Sequence, residues 1–201
     1  MSFKYYKTMK IINQDERRAV NAILFFVNER SMRHLFKTKM FKLLALLDFI
    51  HFNQTGRTVT GETYKTFPRG PVPIDLYERI DRGNLTYYFN ERLMIKKCPV
   101  GDKEGYRFVA IHGVKPNLKV FSEREIEILE QLAYIYKDAT ADQMTEATHL
   151  KNSPWEITKN TKGLGKEIDI MLALDGETEI TKEIAEERLK IHETLKHLWE
   201  K

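Results

Sequence analysis

The chain has 201 residues, 42% hydrophobic and 31% charged, with 33 basic against 29 acidic side chains and a net charge of +4. That length and apolar content suit one large domain with a real core, and no run reaches the ~20 apolar residues that a membrane span needs. A single cysteine, Cys98, excludes an internal disulfide and a multi-cysteine zinc site. The opening MSFKYYKTMKIINQDERR is basic and lacks an apolar core of signal-peptide length. With the lone cysteine, this points to the cytoplasm.

Positive charge gathers early, in Lys4, Lys7 and Lys10 and on to Lys42. A basic first third touches nucleic acid or an acidic protein, or is an ordinary solvated face. Asn13 followed by Glu16 predicts a capping box. Ala19, Val20, Ile23, Leu24 and Val27 then repeat at helical spacing, predicting an amphipathic helix over 14–30. A second helix is predicted from Thr38 to Asn53, apolar on most sides and so suited to the middle of a bundle. Gln54-Thr55-Gly56 ends it, with Gly56 fit for the left-handed C-terminal position.

Gly61 to Phe67 reads as extended and aromatic. Pro68, Pro71 and Pro73 then fix φ and forbid a central strand. Pro73 suits the first turn of a helix carried by Ile74, Leu76, Tyr77 and Ile80 and closed by Gly83. Leu85–Phe89, Arg92–Lys97 and Tyr106–Ile111 are short aromatic or β-branched runs between turn residues. They predict a small antiparallel β-hairpin or three-stranded sheet.

Helices return after Asn117. Ser122 with Glu125 is a capping box, with Phe121 and Ile126 at the staple positions. Thr140 with Gln143 is a second box, and Ser153 with Glu156 a third, Pro154 taking the favoured first helical position. Thr161–Glu179 is glycine-punctuated around an apolar patch at Ile168–Leu174. The last helix, Thr181–Glu200, is acidic first and basic last, matching the helix dipole. The fold class is mainly α with a small antiparallel β part (α+β).

No Gly-x-Gly-x-x-Gly, P-loop or His-Glu-x-x-His spacing occurs, so catalysis has little support. Asp48 and His51 share a helix face. With His149 they make a candidate metal or acid–base cluster, set against a hydrogen-bonded buried aspartate and two packing histidines. On the second reading, Asp48 accepts hydrogen bonds from the loop bearing Arg69 and Gly70. Tyr87, Tyr88 and Phe89, interleaved with Arg92, Lys96 and Lys97, read as a base-stacking wing or as a sheet with one packed face.

Several landmarks stand in one order. They are Lys42-Leu43-Leu44, Asp48, His51-Phe52, Gly56-Arg57, Thr60-Gly61-Glu62-Thr63-Tyr64 and Phe67-Pro68-Arg69-Gly70-Pro71-Val72. Phe121-Ser122-Glu123, Ile128-Leu129, Thr148-His149 and Ser153-Pro154-Trp155 follow. Together they resemble the Panacea domain, the SocA-like antitoxin family. The resemblance covers about residues 20–160 and implies a mainly helical domain with a small β element; outside the shared block, a basic N-terminal extension completes a domain over residues 1–160, and residues 161–201 are read as a helical extension packed on it. The same resemblance implies a non-enzymatic bacterial or phage antitoxin, without cofactor or metal, that binds a cognate protein toxin encoded nearby, a protease completing the toxin's removal. It makes Asp48, His51, Gly56, Gly61, Gly70, Pro71, His149, Pro154 and Trp155 framework residues. The family pattern has an aromatic before Gly-Pro, where this chain has Arg69. A toxin-binding surface needs aromatic or arginine anchors, which nominates Tyr64, Phe67, Arg69, Tyr87 and Tyr88 as partner-binding residues. A nucleic-acid-binding regulator, using the basic first third and the β wing, is the alternative.

Overall fold

The structure, a computed structural model, describes residues 13–101, 103–176 and 180–199. The early cations Lys4, Lys7 and Lys10, and the predicted end points Glu179 and Glu200, lie outside them. Among the described residues, eight α-helices and two antiparallel two-stranded ladders make the chain mainly α with a small β part.

The second helix is the axis of the fold. α1 (Gln14–Asn28) packs against α2 (Lys37–Thr55), and its Ala22, Ile23, Leu24 and Phe26 have no exposed surface. Because α2 is apolar on nearly every side, it is covered on nearly every side; Leu43, Leu44, Leu47 and Phe52 have no exposed surface. Asn13 caps α1 by accepting from the Asp15 N–H at 2.9 Å. The predicted box does not close, because Glu16 is drawn to the Thr86 hydroxyl and to Arg79 at 3.7 Å. Gly56 ends α2 at φ 62, its N–H on the Phe52 carbonyl at 2.7 Å.

β1 (Tyr64–Phe67) and β2 (Gly70–Pro73) pair antiparallel, Tyr64 opposite Pro73 and Phe67 opposite Gly70. Residues 163–168 run along the other side of β1, so the prolines sit on an outer strand, where a missing donor does no harm. α3 (Ile74–Asp81) starts immediately after Pro73, which is its cap rather than its first residue.

Leu85–Phe89, predicted as a strand, is not one. α4 (Tyr87–Asn90) is a single helical turn, capped by Thr86 accepting from the Phe89 N–H at 3.1 Å. An aromatic run fits a pleat and a turn equally, and the threonine cap decides between them. The second ladder is therefore a hairpin, β3 (Leu93–Val100) with β4 (Lys103–Ala110), and Leu93 and Phe108 face the core.

α5 (Glu123–Tyr136), α6 (Ala141–Thr148) and α7 (Pro154–Lys162) begin at the predicted caps. The first two boxes are complete. The third keeps only its serine half, because Glu156 instead takes the Asn152 N–H at 3.3 Å and the Asn160 side chain at 2.6 Å. A 3-10 turn over Ile170–Ala173 leads to α8 (Lys182–Trp199). Ala185 joins Phe49, Phe52, Tyr64, Trp155 and Ile168 in a second apolar cluster beside the main core.

Candidate functional site

Asp48 lies mid-way along α2 with no exposed surface. Its carboxylate accepts from the Val59 N–H at 2.7 Å, the Thr60 N–H at 2.8 Å, the Tyr64 hydroxyl at 2.7 Å and the Thr60 hydroxyl. Burial pushes the carboxyl pKa up, and these donors pull it back. The pinned segment is thus residues 59–64, which corrects the expectation that Asp48 holds the loop of Arg69 and Gly70. The tight reversal at Gly56 returns the chain to α2 at once, so Val59 and Thr60 are the first N–H groups to arrive.

The proline elbow is held by a different residue of the same helix. Lys42 Nζ donates to the Pro71 carbonyl at 3.0 Å, and burial, with Arg69 adding to it, lowers the lysine pKa to about 7. Gly70 adopts φ 106, and a Cβ there would lie 2.7 Å from Thr148 Oγ1 and 2.8 Å from Lys42 Cε. The Thr145 hydroxyl donates to the Arg69 carbonyl at 3.3 Å. One turn earlier, Lys39 Nζ donates to the carbonyls of Arg33, Lys137 and Ala139 at 2.7, 3.1 and 2.9 Å, filling all three of its donors. From the sequence these lysines belonged to the early basic run, Lys42 also opening the landmarks, and neither was given a buried role. Their signal was present: a helix with no polar face has nowhere to expose a cation.

His149 stacks on Trp155 with ring centroids 3.5 Å apart and planes within 4°. The Trp155 indole N–H donates to the Phe67 carbonyl at 3.0 Å, tying α7 to β1. His149 Nε2 is buried without a hydrogen-bond partner, and burial with the nearby Lys42 and Lys159 charges pulls its pKa down. His51 faces elsewhere, Nδ1 at 2.7 Å from the Arg57 carbonyl and Nε2 at 3.5 Å from Glu125. Asp48, His51 and His149 therefore have separate partners. Among the described residues, no three His, Cys, Asp or Glu side chains gather to hold a metal.

The partner-binding candidates divide by exposure. Tyr64 is 2% exposed and bonded to Asp48, which removes it from the surface. Phe67 is half-buried against Tyr77, centroids 5.6 Å apart. The Tyr88 hydroxyl accepts from Asn21 at 3.2 Å, and Arg92 lies over its ring at 3.8 Å. Tyr87 is 78% exposed, and Arg69 is exposed with Asp142 facing it at 3.9 Å. Arg69 tips the elbow, Tyr87 opens α4, and Gly61 packs against Asp15.

Two features had no clear sequence signal. One Glu62 carboxylate oxygen is buried without a partner, and burial lifts the pKa to about 7 against the pull of Arg79, Asp75 and Asp48 reinforcing the rise. Nothing in Thr60-Gly61-Glu62-Thr63 distinguishes this glutamate from a solvated one. The other is a cavity of about 770 Å³ where the starts of α1 and α5, the end of α2 and one face of α8 meet. Arg18 and Glu125 pair there, and His192 meets Asp15 at 3.0 Å.

The arrangement around Asp48, Lys42 and Trp155 fixes three stretches of backbone to two helices. That framework coincides with the span matched by the family model for SocA-like antitoxins, Panacea domain, residues 40–156. No match emerged among curated proteins or solved structures.

Proposed function

The chain belongs to the SocA-like antitoxin family, Panacea domain, and on that premise we propose that it neutralises a cognate protein toxin by direct contact. It is a binding protein that breaks no bonds of its own. The observation carrying this reading is how the polar groups of the framework are used. Asp48 takes four donors, Lys42 holds the Pro71 carbonyl, and Trp155 holds the Phe67 carbonyl. Groups so engaged serve rigidity, and a rigid frame lowers the ordering cost of association.

On that frame Arg69 and Tyr87 stand exposed, the side-chain types that dominate binding hot spots. Arg69, where the family pattern has an aromatic, offers a cation to an acidic spot on the toxin. Delivery of the bound toxin to a protease is an extension of the same reading. Among the described residues, no helix is long and apolar enough to cross a membrane, and we place the encounter in the cytoplasm.

Co-expression with the product of the neighbouring gene tests the proposal. Growth rescue together with co-purification is the expected result; neither occurring overturns it. The alternative, a nucleic-acid-binding regulator, draws on Lys96 and Arg107, exposed on the hairpin. Binding to DNA or RNA that falls steeply with salt would move the assignment there.

A further inference from the structure

The cavity between α8 and the body of the fold carries an imbalance of charge that the framework does not explain. Arg57 follows α2, Arg124 stands in the first turn of α5, and Arg188 and Lys196 lie eight residues apart on α8; all four line the cavity. Among the described residues, the lining holds two carboxylates. Glu125 is engaged by Arg18, by the Ser122 N–H at 2.8 Å and by His51, and Asp15 is engaged by His192. Among the described residues, none of the four cations forms a salt bridge. Arg124 reaches only the Gln54 side chain, at 3.4 Å, and Arg188 only the Thr55 carbonyl.

Like charges brought together across a cavity repel, and the repulsion grows as water is excluded. Two helices of 15 and 14 residues, α1 and α5, also start at this cavity, but Asn13 and Ser122 cap them and Asp15, Glu16, Glu123 and Glu125 stand in their first turns, so the cations rather than the helix ends set its charge. With Glu125 and Asp15 already paired, Arg57, Arg124, Arg188 and Lys196 are left without a carboxylate partner among the described residues. Leu189, Ile191 and Leu195 of α8 supply an apolar wall, Ile191 and Leu195 remaining about half exposed.

We propose that this cavity binds a soluble, phosphate-bearing small molecule of nucleotide size, its phosphates among the arginines and its apolar body against α8. Three of the four cations without a salt bridge are guanidinium groups, whose planar forks match phosphate oxygens two at a time. Four cations call for several negative charges in a small volume, which a di- or triphosphate supplies and a single carboxylate does not. A volume of about 770 Å³ lies within the range of small-ligand sites. Because α8 closes one side, the cavity suits one compact ligand better than a continuous nucleic-acid strand. This site is independent of the toxin-binding reading.

Isothermal titration of the full chain with ATP, ADP and inorganic pyrophosphate at low and physiological salt tests it. Expected is one-to-one binding of ATP or ADP, tighter than pyrophosphate, with a raised thermal midpoint. The double variant Arg57→Ala/Arg124→Ala, both sites being exposed, should fold and weaken binding at least tenfold. Lys96→Ala on the hairpin should not. Absence of binding by all three compounds overturns the proposal. So does binding unchanged in the double variant, or preference for a single-stranded oligonucleotide over the nucleotides.

Discussion

Lys42 grips the Pro71 carbonyl at 3.0 Å, so a cation of the central helix holds the elbow's backbone from within the protein. In the folded chain its pKa is about 7, against an ordinary 10.5. Between those values the unfolded chain binds more protons, so this group makes stability rise with pH across that window. Replacing Lys42 by methionine should flatten the rise. Urea midpoints taken near pH 7 and near pH 9.5 measure it; a variant that climbs as steeply as the parent would refute the assignment.

The four donors on Asp48 set up a graded test. Asp48→Ala strands the Val59 and Thr60 N–H groups and two hydroxyls, and should cost about 3 kcal/mol or more. Tyr64→Phe removes one donor and leaves the rest, and should cost ~1–2 kcal/mol. Chemical denaturation ranks the two. Equal losses would mean that the tyrosine, not the carboxylate, is the organising group.

Glu62 works in the opposite direction from Lys42. Its folded pKa of about 7 exceeds the ordinary 4.5, so the folded state holds the proton more tightly. Below the lower value the group costs nothing. As pH rises through the window the penalty grows, reaching roughly 3 kcal/mol above the higher value. Glu62→Gln should therefore stabilise the protein near pH 8 and be neutral near pH 4.5. Melting curves at the two pH values check the sign, and a gain at the acid end alone would be the wrong one.

Gly56 meets α8 edge on. It stands at φ 62, and a Cβ there would lie 2.9 Å from the Ala185 Cα. Gly56→Ala should cost ~1–2 kcal/mol through the left-handed backbone alone and push α8 outward. Faster hydrogen exchange and proteolysis within α8, ahead of the rest of the chain, are the expected readouts; uniform loosening would argue against a local clash.

What the sequence disclosed was local. Ser122 and Thr140 announced their helices because a cap and its box partner lie three residues apart and need no distant help. Gly56 did so because only a left-handed residue closes α2 there. Partners far apart in the chain were less legible. Asp48 was plainly a buried acceptor, yet which loop it held depended on how sharply Gly56 turns the backbone. Tyr64, an aromatic beside turn residues, resembled a rim residue until its hydroxyl was found on Asp48. Leu85–Phe89 misled because its short apolar run has no period of its own, and Thr86 settled the conformation. Glu62 and the facing arginines of α8 and α5 were invisible, since their proximity exists only after α8 has docked.

The segment after α7 is stitched to β1 rather than appended to it. Thr66 donates its N–H to the Lys166 carbonyl at 2.8 Å and receives the Gly165 N–H at 2.6 Å, and Ile168 donates to the Tyr64 carbonyl at 2.8 Å. A truncated version stopping with the matched block at residue 156 would leave β1 with a bare, unprotected margin. Such margins recruit other chains, so the minimal fragment should self-associate more strongly than the longer polypeptide, as size-exclusion elution at matched concentrations would show.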